Sequence, residues 1–258
     1  MRIVVKVGTS TLAHSGGRLN IRRTEQLVKV LSDIKNAGHE VILVSSGAIG
    51  LGAGKLQIAR PQDMATKQAA AAVGQCELMY IYDRLFSDYN HTVAQLLLTR
   101  EDFDQTGRLQ NLENTLFRLL ALKAIPVINE NDTVATEEIA VGDNDTMSAM
   151  VAKFVQADLL VLLSDIDGLY TADPHRCPDA VLINEVQAIT PEILALAGGS
   201  ASDLGTGGMA TKLSAARLIM EAGGDMVIAN GTNPDVLYDI IDGKSVGTRF
   251  VGRGRNLK

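Results

Sequence analysis

The chain has 258 residues and a net charge of −6, from 24 Lys and Arg against 30 Asp and Glu. That balance argues against a nucleic-acid surface, and Arg253 and Arg255 near the end are too few to make one. Trp is absent and 4% of residues are aromatic, so aliphatic side chains must fill a core that, at this length, takes roughly 70–75% of the chain's surface out of water.

Residues 3–7 are an apolar run ending at Gly8, the pattern of a buried strand entering a turn, with Lys6 inside it and Thr9 and Ser10 behind. Gly8 lets a backbone amide approach an anion closely. A solvated strand-end lysine is the plainer reading of that tetrapeptide alone, but Lys6 interrupts an otherwise apolar strand. Leu27, Leu31 and Ile34 recur at helical spacing over 22–35, and Gly38 stops the helix. Residues 41–44 form a second buried strand, closed by Ser45, Ser46 and Gly47 at the start of a helix. Free amides there suit a negative group, although hydroxyl capping explains the serines equally well. Residues 63–86 read as a long helix broken near Gly74, 92–98 as a strand, 109–122 as a helix and 125–128 as a strand.

The stretch 128–145 then sets Glu130, Asp132, Glu137, Glu138, Asp143, Asn144 and Asp145 between two core elements. Burying so many acids and amides unpaired is costly, so they are expected to line a cleft for an ammonium or a metal ion. Capping of the next helix, whose face is Met147, Val151 and Phe154, accounts for one such residue at about 0.3–1 kcal/mol, not for three plus Asp132. Residues 159–163 are a strand bounded by Asp158 and by Ser164 and Asp165. Asp165 and Asp167 alternate as in a calcium loop, but the further ligands such a loop needs do not follow; Asp165 instead suits a metal or a ribose at a strand end. A shorter strand is expected at 182–186. Gly205, Thr206, Gly207 and Gly208 open a helix faced by Met209, Leu213, Ala216 and Met220. Lys212 lies in its first turn, where the helix dipole disfavours a cation unless a phosphate sits at the helix start. Residues 226–229 and 247–251 complete the strands.

Strand–helix alternation implies one α/β domain with a mostly parallel sheet and helices on both faces, and a soft lobe boundary near 154–158. Gly8, Ser46, Asn129, Ser164 and Asn230 fall at strand carboxyl ends and should share one crevice. Other nucleotide motifs fail: Gly243, Lys244 and Ser245 end like a phosphate loop, but Tyr238 stands where its first glycine belongs, and no GxGxxG exists. Cys76 and Cys177 form no CxxC and the four histidines are scattered, which leaves no His/Cys metal site. No signal-like or membrane-length apolar run is present, so a cytoplasmic protein without a membrane partner is expected. Two lysines at glycine turns, clustered carboxylates and no catalytic histidine suggest phosphoryl transfer, catalysed by positioning and charge neutralisation, with Mg²⁺ bridging nucleotide phosphates. A carboxylate acceptor, already ionised at neutral pH, needs no general base.

The motifs VKVGTS (5–10), SSGAIGLG (45–52), KQAAAAVGQ (67–75), QLLLT (95–99), PVINENDTV (126–134), VGDNDTMSA (141–149), SDIDGLYTADP (164–174), GTGGMATK (205–212) and SVGTRF (245–250) together resemble the glutamate 5-kinases of the amino acid kinase family over nearly the whole chain. The resemblance implies a three-layer αβα sandwich with about eight strands, mostly parallel. It implies a single domain over 1–258, with an amino-acid lobe to about residue 155 and a nucleotide lobe beyond it. The implied reaction is ATP-dependent phosphorylation of the glutamate γ-carboxylate, the first step toward proline. By the resemblance, Lys6 and Lys212 bind the ATP phosphates and Asp145 orients both. Ser46, Gly47, Asp132 and Asn144 hold glutamate. Gly8, Ser164, Asp165 and the turn Thr206, Gly207, Gly208, Met209, Ala210, Thr211 and Lys212 bind nucleotide, Mg²⁺ arriving with ATP rather than on a protein site. Further family traits expected are a homo-oligomer, feedback by proline and delivery of product to a glutamyl phosphate reductase. The resemblance ends close to the last residue, so the PUA-type domain that many members carry is expected to be absent. Ser164 stands where a threonine is familiar. Rival readings are an amino acid kinase for acetylglutamate, aspartate, carbamate or a nucleoside monophosphate, or a non-catalytic amino-acid sensor. Asp132 and Asn144 suit a free α-ammonium, which an N-acetyl group does not offer.

Overall fold

Apolar runs with sharp polar boundaries become the strands of one sheet, and the longer 3.6-periodic stretches become the helices that cover it. The computed structural model describes residues 1–14, 17–134, 144–174, 176–199, 208–252 and 254. Glu137, Glu138, Asp143, Gly205, Thr206, Gly207, Arg253 and Arg255 lie outside the described residues.

In chain order the elements are β1 (Arg2–Val7), α1 (Thr9–Leu12), α2 (Ile21–Asn36), β2 (Glu40–Ser45), α3 (Ala48–Leu56), α4 (Met64–Ser87), β3 (Val93–Leu98), α5 (Glu101–Asp104), α6 (Thr106–Ala121) and β4 (Ile125–Glu130). They continue with α7 (Asn144–Phe154), β5 (Leu159–Ser164), β6 (Glu185–Val186), α8 (Pro191–Ala195), α9 (Met209–Glu221), β7 (Asp225–Asn230), α10 (Val236–Ile241) and β8 (Thr248–Phe250). The sheet runs β3-β4-β2-β1-β5-β7-β8-β6, and its pairs are parallel except β7 with β8. The short expected strand at 182–186 contracts to β6, with an isolated bridge from Leu182 to Tyr170.

Every residue of β4 and β5 is buried, as a strand covered on both faces requires. Alternation along the strands divides the core in two. Ile3, Val5, Val7, Leu43, Val161 and Leu163 pack with Leu27 and Leu31 of α2, Leu78 and Tyr82 of α4 and Leu237 of α10. Val4, Ile42, Val44, Leu160 and Leu162 pack with Leu116 of α6, Met147 and Val151 of α7 and Leu213 and Ala216 of α9. This is the expected three-layer αβα sandwich. Because the side-chain period of a strand is two, Lys6 projects from the same face of β1 as Val4, toward the α7 and α9 layer.

The chain leaves β1 toward β2 on one side and β5 toward β7 on the other, and β1 pairs β5. That reversal makes the carboxyl ends of β1 and β5 the switch point of the sheet, where a crevice opens in folds of this kind.

The expected break near Gly74 does not occur: α4 is continuous from Met64 to Ser87. Gly74 serves packing instead. A Cβ there would stand 1.8 Å from the Ala48 carbonyl oxygen, and one at Gly52 would stand 1.8 Å from that of Ala70. The two glycines let α3 and α4 meet backbone to backbone, which fixes the start of α3 beside the strand ends. Helix α10 (Val236–Ile241) and helix α8 (Pro191–Ala195) had no expectation from the sequence. Among the described residues no helix is long and apolar enough to cross a membrane.

Candidate active site

Three elements bring three charges together at the switch point. Lys6 comes from β1, Asp145 from the first turn of α7 and Lys212 from the first turn of α9. Lys6 Nζ lies 2.6 Å from Asp145 Oδ1, and Lys212 Nζ lies 2.8 Å from Asp145 Oδ2. Asp145 is 1% exposed and Lys212 5%. Burial pushes the Asp145 carboxyl up, but the Lys6 and Lys212 ammoniums outweigh it and hold the pKa below the usual carboxylate value. A carboxylate at a helix start also gains from the helix dipole. Two ammoniums against one carboxylate leave one positive charge in this group, in a place largely shielded from water.

The surroundings suit an anion. Helix α9 starts at Gly208, which has no side chain to cap it, and among the described residues no capping side chain takes up its first amides. The Thr211 hydroxyl turns back to donate to the Gly208 carbonyl at 2.8 Å, and Met209 and Ala210 lie between them. Gly8 has an extended backbone that any residue adopts, and a Cβ there would meet only ordinary contacts, among them Lys6 Nζ at 3.8 Å, so neither backbone nor packing demands glycine. Ser164 ends β5, where its hydroxyl donates to Asp165 Oδ1 at 3.1 Å and Asp165 is exposed. Asp167, beside them, accepts from Asn230 Nδ2 at 2.8 Å and from the Tyr170 hydroxyl at 3.0 Å.

A second cluster adjoins the first through the chain itself, since Asn144 precedes Asp145. Asn144 Nδ2 shares its two hydrogens among three acceptors, the Ser46 hydroxyl at 2.8 Å, the Ser45 carbonyl at 3.0 Å and Asn129 Oδ1 at 3.0 Å. Gly47 follows at φ 101, a left-handed value suited to glycine, and starts α3 without a side-chain cap. Asp132 lies in the turn after β4, and burial raises its pKa to about 6. Thus the structure joins Lys6, Asp145, Lys212 and Thr211 in one group and Ser46 and Asn144 in another, and sets Ser164 and Asp165 at the neighbouring strand end. Among the described residues Asp132 makes no side-chain bond to either group; Thr206 and Gly207 are not among the described residues.

Nothing local in the sequence marks Gln75 as a site residue. It is 8% exposed on α4, and Asn129 Nδ2 donates to its Oε1 at 2.8 Å. Its one trace is a lone amide on a helix face otherwise made of Ala70, Ala71, Leu78 and Tyr82.

Solved structures give the class of the fold. The isopentenyl phosphate kinase of T. acidophilum, solved as a product complex, is 17% identical with a TM-score of 0.65, over 97% of this chain and 100% of that one. The carbamate kinase of Giardia lamblia bound to AMP-PNP is 17% identical with a TM-score of 0.68, over 97% of this chain and 98% of that one. The chain therefore has the αβα fold of these kinases. The amino acid kinase family model matches residues 1–230, and the chain belongs to that family. Among its relatives, the glutamate 5-kinase of Listeria innocua is 54% identical over 257 residues, 98% of this chain and 93% of that protein. That of Clostridium perfringens is 51% identical over 257 residues, 98% of this chain and 96% of that protein.

Proposed function

We propose that the protein transfers the terminal phosphoryl group of ATP to the γ-carboxylate of L-glutamate, forming glutamyl 5-phosphate, the first step toward proline. The observation that carries the reading is the double ion pair of Asp145 with Lys6 and Lys212, which holds a surplus positive charge at the sheet's switch point. The identity to glutamate 5-kinases over nearly the full chain supports the choice of acceptor.

In this reading the glutamate carboxylate attacks the phosphorus as its anion, so no base removes a proton. Lys6 and Lys212 meet the charge on the transferring group, each gaining about 4 kcal/mol at ~4 Å and an effective dielectric near 20. Asp145 holds both ammoniums in register. The amides at the start of α9 and the turn from Gly208 to Thr211 take the nucleotide phosphates, with Ser164 and Asp165 beside them. Mg²⁺ carried by ATP adds further neutralisation. Asp132 and Asn144 receive the α-ammonium, and Ser46 and Gly47 lie against the bound amino acid. Residues 1–155 serve as the amino-acid lobe and 156–258 as the nucleotide lobe. The strand order supports this, since β1 to β4 make one half of the sheet and β5 to β8 the other.

A cytoplasmic homo-oligomer, inhibited by proline and supplying a reductase of the acyl phosphate, completes the reading. The direct test traps the acyl phosphate with hydroxylamine. Glutamate should give hydroxamate in step with ATP consumption, whereas acetylglutamate, aspartate and carbamate should not. Protein that binds glutamate but never forms hydroxamate overturns the reading in favour of a sensor. Millimolar proline that leaves glutamate-dependent ATP turnover unchanged refutes the feedback part.

A further inference from the structure

The amide side chains around Asn144 form a relay whose orientation is dictated by two backbone groups. The Ser45 carbonyl can only accept, so Asn144 must present its NH2 there, and its Oδ1 is turned away. The Glu130 backbone N–H can only donate, so Asn129 must offer Oδ1 to it, at 2.9 Å. The same Oδ1 accepts from Asn144. Asn129 therefore sends its NH2 to Gln75, whose Oε1 must accept. None of the three amides can flip without setting donor against donor or acceptor against acceptor.

The relay ends in one uncommitted donor and one uncommitted acceptor. Among the described residues Gln75 Nε2 and Asn144 Oδ1 are buried without a hydrogen-bond partner, on residues that each retain 8% of their surface. Buried polar atoms are normally satisfied. They stand at the two ends of the three-amide relay, one needing an acceptor and the other a donor, and a group of a single charge does not supply both. A zwitterion does, since a carboxylate accepts from an NH2 and an ammonium donates to a carbonyl oxygen.

We propose that Gln75 is a further substrate-binding residue, donating from Nε2 to the α-carboxylate of the amino acid while Asn144 Oδ1 accepts from its ammonium. The proposal rests on the glutamate reading and adds to it a residue that selects for the second carboxylate. Gln75 sits at the end of the relay remote from Lys6 and Lys212, which suits the carboxylate that does not react.

The test uses the full chain, hydroxylamine trapping, and two acceptors: glutamate, and 4-aminobutyrate, which keeps the reacting carboxylate and the ammonium but lacks the α-carboxylate. Gln75→Glu retains an oxygen toward Asn129 and sets a carboxylate against the substrate's. Gln75→Met removes the donor without adding charge. For both, glutamate KM should rise roughly 10- to 100-fold, more for Glu, with ATP KM unchanged. The kcat/KM for 4-aminobutyrate should stay as in wild type under Gln75→Met, so the preference for glutamate shrinks by the same factor. Wild-type glutamate KM in the variants, or equal losses for both acceptors, overturns the proposal while leaving the functional reading intact. Should the variants not fold, wild type decides: a clear preference for glutamate supports the proposal, and equal kcat/KM for the two acceptors overturns it. A wild-type protein that makes no hydroxamate from glutamate overturns both.

Discussion

Replacing Asp145 by Asn removes the carboxylate that Lys6 and Lys212 share. At 2.6 and 2.8 Å each pair has a Coulomb attraction of about 6 kcal/mol at an effective dielectric near 20. Desolvation of the buried ions opposes it, and removing one partner of such a group costs about 3–5 kcal/mol. Set against a total stability of about 5–15 kcal/mol, the variant should remain folded at room temperature. Its Tm should fall by roughly 6–20 °C. With the carboxylate gone the ammoniums repel and lose register, so kcat should drop by about 10²–10³. ATP binding should not weaken in step, because the lost charge is negative and the site becomes more attractive to phosphate. Thermal melting and hydroxylamine trapping over a range of ATP concentrations measure all three quantities. A kcat within about threefold of wild type, an unchanged Tm, or an ATP KM that rises as far as kcat falls refutes the reasoning.

Lys6→Ala and Lys212→Ala should each lower the hydroxamate rate by about 10²–10³, and Lys212→Arg should not restore it, because a planar fork does not replace a compact ammonium. Asp132 has its pKa raised from 3.8 to about 6 by burial, so its contribution to stability is greatest below 3.8 and is lost as pH rises through 6, on the order of 3 kcal/mol in all. Ammonium binding needs the ionised form, so glutamate KM should rise as pH falls below about 6; a KM flat from about pH 5 to 8 contradicts this. Asp132→Asn should raise glutamate KM, remove its pH dependence and raise the Tm of the ligand-free protein at neutral pH. Gly74→Ala improves helix propensity by about 1 kcal/mol but drives a methyl to 1.8 Å from the Ala48 carbonyl oxygen, so the overpacking cost of about 1–3 kcal/mol or more prevails and Tm should fall.

The strands were legible because buried parallel strands are short apolar runs with polar ends; β5, between Asp158 and Asp165, is the clearest case. Lys6 and Lys212 were visible for the opposite reason, each being a cation where local structure disfavours one. The pairing of both with Asp145 is not in the spacing, since it depends on α7 lying on one face of β1 and on α9 packing beside α7. Gly74 was misread for the same reason. Its low propensity is a local property, but its partner Gly52 lies on another helix, and only their contact shows that the glycine joins the helices rather than breaking one. Gln75 escaped notice because its significance lies in Asn129, 2.8 Å away in space and far along the chain.

The central claim is that the Lys6 and Lys212 ammoniums meet one transferable phosphate. A crystal structure with glutamate and a non-hydrolysable ATP analogue measures it most directly. Both Nζ atoms are predicted within about 3 Å of oxygens on the terminal phosphate, with the glutamate γ-carboxylate facing its phosphorus. A terminal phosphate bound out of reach of either ammonium, with both lysines still confined to Asp145, contradicts the account.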